Sequence, residues 1–244
     1  MIPRLRAGLV HLSISAFVAL IAVGLVFLLW YPSPLHKAVG VTDIFLIVLG
    51  VDVVIGPLLT IVVYKPSKKS LLFDLSTIAL LQLIAFSYGL WTVAQGRPAW
   101  LVFSADRFDL VQAYQIDQRK VGEAPVEYRS APWVGPRWVS ARGPDSADQR
   151  QTIMFEAMFA GVDIPQRPEF YRPLNDAAKR MLARAKPLEE LSQYNPQSAV
   201  DETLQQWPAA DAFLPMMASA HPVTVLINKA SAKVVAIVDL NPWE

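Results

Sequence analysis

No cysteine occurs anywhere in the 244 residues. That excludes a disulfide, a thiolate metal site and a thiol nucleophile, and it fits either redox compartment. Histidine is nearly as scarce, and His11, His36 and His221 are scattered over different regions without the spacing of a zinc site. Also missing are a serine in a nucleophile elbow and a glycine-rich phosphate loop after a strand. The 22 Lys/Arg and 21 Asp/Glu nearly cancel and form no clustered positive stripe, so no nucleic-acid partner is expected. The sequence therefore offers no catalytic residue, no metal site and no cofactor.

What it has in excess is apolar residues, 53% of the chain. They are concentrated before residue 96, in Val10 to Tyr31, Val41 to Tyr64 and Leu71 to Gln95. A bilayer core needs about 20 apolar residues per helix, so each run is long enough to cross one. The expected domains are a three-helix transmembrane part over 1–98 and an outer part over 99–244. Up to residue 98 there are seven Lys/Arg and three Asp/Glu; after it, 15 and 18.

Arg4 and Arg6 precede the first run, Lys65, Lys68 and Lys69 fill the second connection, and the first connection holds only Lys37. Short loops rich in Lys/Arg stay cytoplasmic, which puts the N-terminus inside and everything after Gln95 outside. In a Gram-negative inner membrane that outside is the periplasm. Arg4 and Arg6 also resemble a signal-peptide leader, with Ala38-Val39-Gly40 as a small-residue site, but the apolar run exceeds the usual core of about 7 to 15 residues. Trp30-Tyr31 reads as an interfacial anchor.

One carboxylate, Asp52, lies mid-run in FLIVLGVDVVIGPLLTIVVY. At about 1.5 Å per residue it stands about 18 Å from Tyr64, and Gln82 stands about 16 Å from Leu71, so the two are level near the midplane. Intramembrane polar groups face the bundle interior and bond one another. Three readings are open. Asp52 bonds Gln82 or a carbonyl freed by Pro57, or it faces a partner helix and recognises a polar or cationic group there, or it serves an ion or proton path. An aspartyl dyad with Asp43 is excluded, because nine residues leave the two acids on opposite helix sides and about 13 Å apart. Asp74, at the cytoplasmic end of the third run, is expected to cap its helix or pair with Lys68 or Lys69.

After Ala99 an α+β domain with a small antiparallel sheet is expected. AWLVF reads as a strand, RFDLVQAYQI as more sheet or a helix, and YRSAPWVGPRWVSARGP as an irregular loop. Asp145-Ser146 should cap a helix to about Phe159, stopped by Gly161, with Ile153, Phe155, Ala157, Met158 and Ala160 on its apolar face. Further helices are expected over Asn175 to Ala185, Leu188 to Tyr194 and Val200 to Trp207. VTVLIN, KASA and KVVAIVDL form a hairpin. Trp133 and Trp138 are either anchors for a partner or membrane surface, or the loop's own packing.

The stretches HLSIS, WYPSPLHKAVGVTDIF, DVVIGPLLT, GRPAWLVFSADRFDLV, GPRWV and VDLNPW together resemble the type IV pilin accessory proteins, the TfpX/TfpZ or FimB-like group. The resemblance runs over nearly the whole length and is strongest before residue 111. It implies an inner-membrane protein that supports assembly, stability or display of a cognate major pilin, with no catalytic signature to carry over. Asp43 and Asp52 fall inside the matched words. The partners expected are the major type IV pilin, inner-membrane lipids and the pilus assembly machinery. Asp52, Gln82, Asp43, Trp133 and Trp138 are the candidate partner-binding residues. A membrane-anchored sensor or toxin-immunity module is the alternative.

Overall fold

The computed structural model describes residues 2–243. Its contacts divide the chain into two units, Met1–Pro32 with Val41–Gly96, and Ser33–Gly40 with Arg97–Glu244.

The first unit holds three helices long and apolar enough to cross a membrane. The first is α1 (Ile2–Gly24), prolonged by a π turn over Leu25–Trp30. The short α2 (Leu35–Ala38) follows it and belongs to the second unit. Next come α3 (Val41–Gly50), a π turn (Val51–Ile55) and α4 (Gly56–Val63), which together form the second span. The third is α5 (Leu71–Gln95). Most large side chains on these helices, among them Phe17, Leu20, Ile47, Val62 and Leu81, point outward, as lipid-facing helices require. The inward stripe of α1 is small: Gly8, Ser15, Ala19 and Ala22 are buried. A Cβ on Gly8 would come within 2.3 Å of Ile61 Cγ1, so the close approach of α1 to α4 depends on glycine there. The small-residue stripe thus serves this unit's own packing. Trp30 and Tyr31 are not surface anchors either. Both are buried, and the Tyr31 hydroxyl donates to the Val93 carbonyl at 2.6 Å, closing the end of the first helix onto α5.

The second unit is built on one seven-stranded sheet: β1 (Pro98–Ser104), β2 (Arg107–Gln112), β3 (Arg137–Ala141), β4 (Tyr171–Pro173), β5 (Ala212–Met217), β6 (Val223–Asn228) and β7 (Lys233–Val238). The order is β4-β3-β1-β2-β5-β6-β7. The expectation of a small antiparallel sheet is corrected in size and kind, because β1 with β3 and β2 with β5 run parallel. Long crossovers carry the chain between those partners. They contain α6 (Ala147–Ala160), α7 (Ala178–Arg184) and α8 (Gln197–Gln206), together with several 3-10 turns.

Both faces of the sheet are covered. Leu101, Phe103, Leu110, Leu214 and Val225 join Met181 in one cluster, while Trp100, Val102, Val139 and Tyr171 join Ile153 in another. A strand buried on both faces loses its alternation, which is why β1 reads as an unbroken apolar run. Leu35 and Ala38 of α2 sit in the first cluster at 1% and 0% exposure. Their loop is held by polar contacts as well: the Ala38 carbonyl accepts from the N–H groups of Ala220 and His221, and Lys37 pairs with Asp239 at 2.8 Å.

Candidate functional site: a polar pair in an apolar groove

The second span cannot be a regular α-helix throughout, because Pro57 supplies no N–H. Its response is the π turn over Val51–Ile55, a register in which hydrogen bonds run five residues back instead of four. In that register the donor to the Asp52 carbonyl would be Pro57, which has no N–H. Gln82 on α5 supplies one. Its Nε2 donates to the Asp52 carbonyl at 3.0 Å and to Asp52 Oδ1 at 3.1 Å. Gly56 makes room for this, since a Cβ there would lie 1.9 Å from Gln82 Nε2. The two residues are level, as the spacing indicated, and the bond between them is one of the readings that it left open.

The pair lines a groove of about 340 Å³ between the second span and α5, with Ile44, Ile47, Val48, Val51, Ile55 and Phe86 among its walls. Asp52 and Gln82 are each half-buried. Gln82 Oε1 is shielded from solvent and has no hydrogen-bond partner among the described residues. In hydrocarbon such an acceptor is costly to leave unpaired. The groove can therefore take an apolar surface that carries a hydrogen-bond donor.

The other expected site residues lie elsewhere. Asp43 is exposed in the first turn of α3, where its charge complements the helix N-terminus, and it does not line the groove. Asp74 pairs with Lys68 and accepts from the Ser70 hydroxyl at 3.4 Å. Trp138 stands edge-on to Phe108 at 5.0 Å and packs against the sheet core, whereas Trp133 is 64% exposed. The two tryptophans are thus not one anchor.

Two features escaped the sequence reading. His11 on α1 is hydrogen-bonded to Thr60 on α4 at 2.6 Å, beside a cavity of about 740 Å³ lined also by Arg6, Tyr64 and Leu75. Their residue types carried no signal until the helices were paired. The second unit also holds a closed ring of ion pairs. Asp117 and Glu156 each bind Arg119 at 2.7 Å, Glu156 also pairs with Arg167, and Arg167 returns to Asp117 at 3.7 Å. Hydrogen bonds from Arg119 hold the Asp117 and Glu156 carboxyls below their usual range. Close by, burial pushes the Glu169 carboxyl up. The ring fastens α6 to the domain, since only Ile153 of that helix is buried while Phe155, Met158 and Phe159 remain exposed. Of the apolar face expected on α6, Ile153 reaches the core and Ala157 is partly covered, whereas Phe155, Met158 and Ala160 are exposed.

Comparison with known proteins agrees with the resemblance read from the sequence. The family model described as Fimbrial assembly protein FimB matches residues 1–40. A fimbrial assembly protein of Dichelobacter nodosus, serogroup E1, is 30% identical over 243 residues, 96% of this chain and 94% of the relative. Its serogroup I counterpart is 33% identical over 181 residues, 73% and 70% of the two chains. No solved structure matches. Near-complete coverage by these relatives, over the three apolar helices and the sheet unit alike, establishes that this chain belongs to the FimB-like family of fimbrial assembly proteins.

Proposed function

We propose that the chain is a non-enzymatic accessory factor for type IV pilus assembly, seated in the bacterial inner membrane with its N-terminus cytoplasmic and its outer unit periplasmic. Its client is the cognate major pilin, which it binds and helps to stabilise or assemble. A pilin before polymerisation is a membrane protein with one long apolar helix and an outer head, and a partner able to engage both needs helices and an outer domain of its own.

The observation that carries this reading is the groove at Asp52 and Gln82. Its walls are apolar, and it keeps one acceptor, Gln82 Oε1, without a donor among the described residues. A client helix bringing a polar or cationic group to that depth would complete the bond, and intramembrane bonds of this kind contribute roughly 0.6 to 2 kcal/mol.

Asp52→Leu tests it. The substitution removes the carboxylate that orients the Gln82 amide, and pilin co-purification should fall about 3- to 30-fold at unchanged protein level, the range set by one such bond. Asp52→Asn, which keeps an acceptor for Gln82, should retain most of it. Unchanged pilin recovery and pilus number in the leucine variant would remove the recognition role and leave Asp52 as an internal bond.

A further inference from the structure

α1 and α5 both pack against α4, and the cavity of about 740 Å³ is lined by all three segments. Val10, Ile14 and Ala79 are among its apolar walls, and three polar side chains also face it: Arg6, His11 and Tyr64. Among the described residues the Arg6 guanidinium and the Tyr64 hydroxyl have no hydrogen-bond or ion-pair partner, and His11 uses only Nδ1, on Thr60 at 2.6 Å. His11 Nε2 is left over. No Asp or Glu lines the cavity, and the nearest acid in sequence, Asp74, is held by Lys68. Arg4 and Lys65, close to Arg6 and Tyr64 in sequence, add further positive charge.

The polar groups are ordered along the helix axis. The second span, Val41–Val63, has Asp52 at its midpoint. At about 1.5 Å per residue, Thr60 lies about 12 Å from that midpoint and Tyr64 about 18 Å. The His11–Thr60 bond sets His11 at the first of these levels, and Arg6, five residues earlier on α1, stands about 7.5 Å farther out, at about 20 Å. In a bilayer the hydrocarbon ends about 15 Å from the centre and the headgroups about 20 to 22 Å. With the second span centred in a bilayer, Arg6 and Tyr64 stand in the headgroup layer, and Val10, Ile14 and Ala79 in the hydrocarbon. His11 lies just inside the boundary, and its side chain leans toward the helix N-terminus, which is toward that boundary.

A phospholipid presents the same succession: a phosphate, ester carbonyls a few bonds below it, then acyl chains. We propose that this cavity holds one anionic phospholipid, with its phosphate on Arg6 and Tyr64 and an acyl chain along Val10, Ile14 and Ala79. An ester carbonyl accepts from His11 Nε2–H, while the Thr60 hydroxyl donates to Nδ1. Because no acid lines the cavity, an ethanolamine headgroup would bring its ammonium against Arg6, Arg4 and Lys65 with nothing to receive it. The site rests on the reading of the three helices as membrane spans, and not on the pilin contact at Asp52.

The test uses the full chain, purified in a mild detergent and given equal amounts of dioleoyl phosphatidylglycerol and dioleoyl phosphatidylethanolamine. Native mass spectrometry counts the lipid retained. One phosphatidylglycerol should be retained about fivefold over phosphatidylethanolamine, the preference that one arginine at the headgroup layer supplies. Arg6→Gln should bring the two lipids to parity. Ala79→Phe, which fills the apolar part without changing charge, should lower phosphatidylglycerol retention. Lys69→Gln, at an exposed lysine that does not line the cavity, should change neither. Equal losses in Arg6→Gln and Lys69→Gln overturn the site and assign the preference to the basic rim as a whole. Unchanged retention in Ala79→Phe overturns the seating of an acyl chain in the cavity. A protein that needs detergent yet retains both lipids equally overturns the site alone, whereas one that stays soluble once detergent is withdrawn overturns the spanning reading with it.

Discussion

Pro57 shapes the Asp52–Gln82 pair by what it cannot donate. One missing N–H turns the Asp52 carbonyl toward α5, and Gln82 answers with an amide that reaches both the carbonyl and the carboxylate. The proline and the matching depths of Asp52 and Gln82 were legible by counting, but the π turn and the tight fit of Gly56 were not, because both arise only when the helices meet. Residue type also fails to separate Trp133 from Trp138, since exposure is decided by which of them faces the sheet. A second residue-scale effect is measurable in the sheet unit. Burial pushes the Asp109 carboxyl up to about 6, although Arg107 Nε lies 3.1 Å away and opposes the shift. The folded chain then keeps a proton that the unfolded chain releases near pH 4, so this residue's contribution to stability is present at low pH and is lost as pH rises toward 6. Asp109→Asn should remove that slope. Relative to the natural chain, the variant should gain on the order of 1 to 3 kcal/mol between pH 4 and pH 7, read from thermal melts of the full chain in micelles at a series of pH values.

At the scale of elements, α2 is the instructive case. Its four residues stand between two long apolar helices in sequence, where a loop is expected, yet Leu35 and Ala38 are core residues of the sheet unit. Leu35→Ala should therefore cost about 2 to 5 kcal/mol in that unit, as for a leucine truncated in a packed core, while an exposed leucine of the neighbouring span such as Leu28 should tolerate the change. Hydrogen exchange of the β1 and β5 amides would read the difference, and equal protection in both variants would contradict the assignment. The strands divide by the same logic. The β6–β7 hairpin and β1 announce themselves by composition, and α6 by its caps: the Ser146 hydroxyl accepts from Gln149 N–H at 3.1 Å, and Gly161 takes φ +66°. β3 is concealed by the prolines and glycines around it. β5 is concealed by its own Pro215, which is tolerated because of where its missing donor would point. Phe213, two residues earlier and in the same orientation, bonds Lys186 on the side away from β6, and pairing with β2 begins only at Met216.

At the scale of the whole molecule, the composition split announced two parts, but not that the first connection joins the second part. That membership has a topological consequence. If α1, the second span and α5 each cross the bilayer, residues 33–40 and everything after Gly96 must lie on one side and Lys65 to Ser70 on the other. The basic connection then faces the cytoplasm. In intact cells a membrane-impermeant maleimide should label Ser231→Cys readily and Lys69→Cys only after the membrane is opened. The reverse pattern would invert the protein and, with it, the client contacts proposed above.

The embedded position of α2 also governs how the molecule can be divided. A version trimmed to begin at Arg97, made to obtain a water-soluble head, would leave a dent where Leu35 and Ala38 belong. Such a fragment should be sticky and poorly ordered until that short peptide, supplied separately or grafted on, is returned to its slot. Biosynthesis meets the same limit, because the ribosome delivers this wedge early and it must wait for nearly all of the remaining chain before it has anywhere to dock.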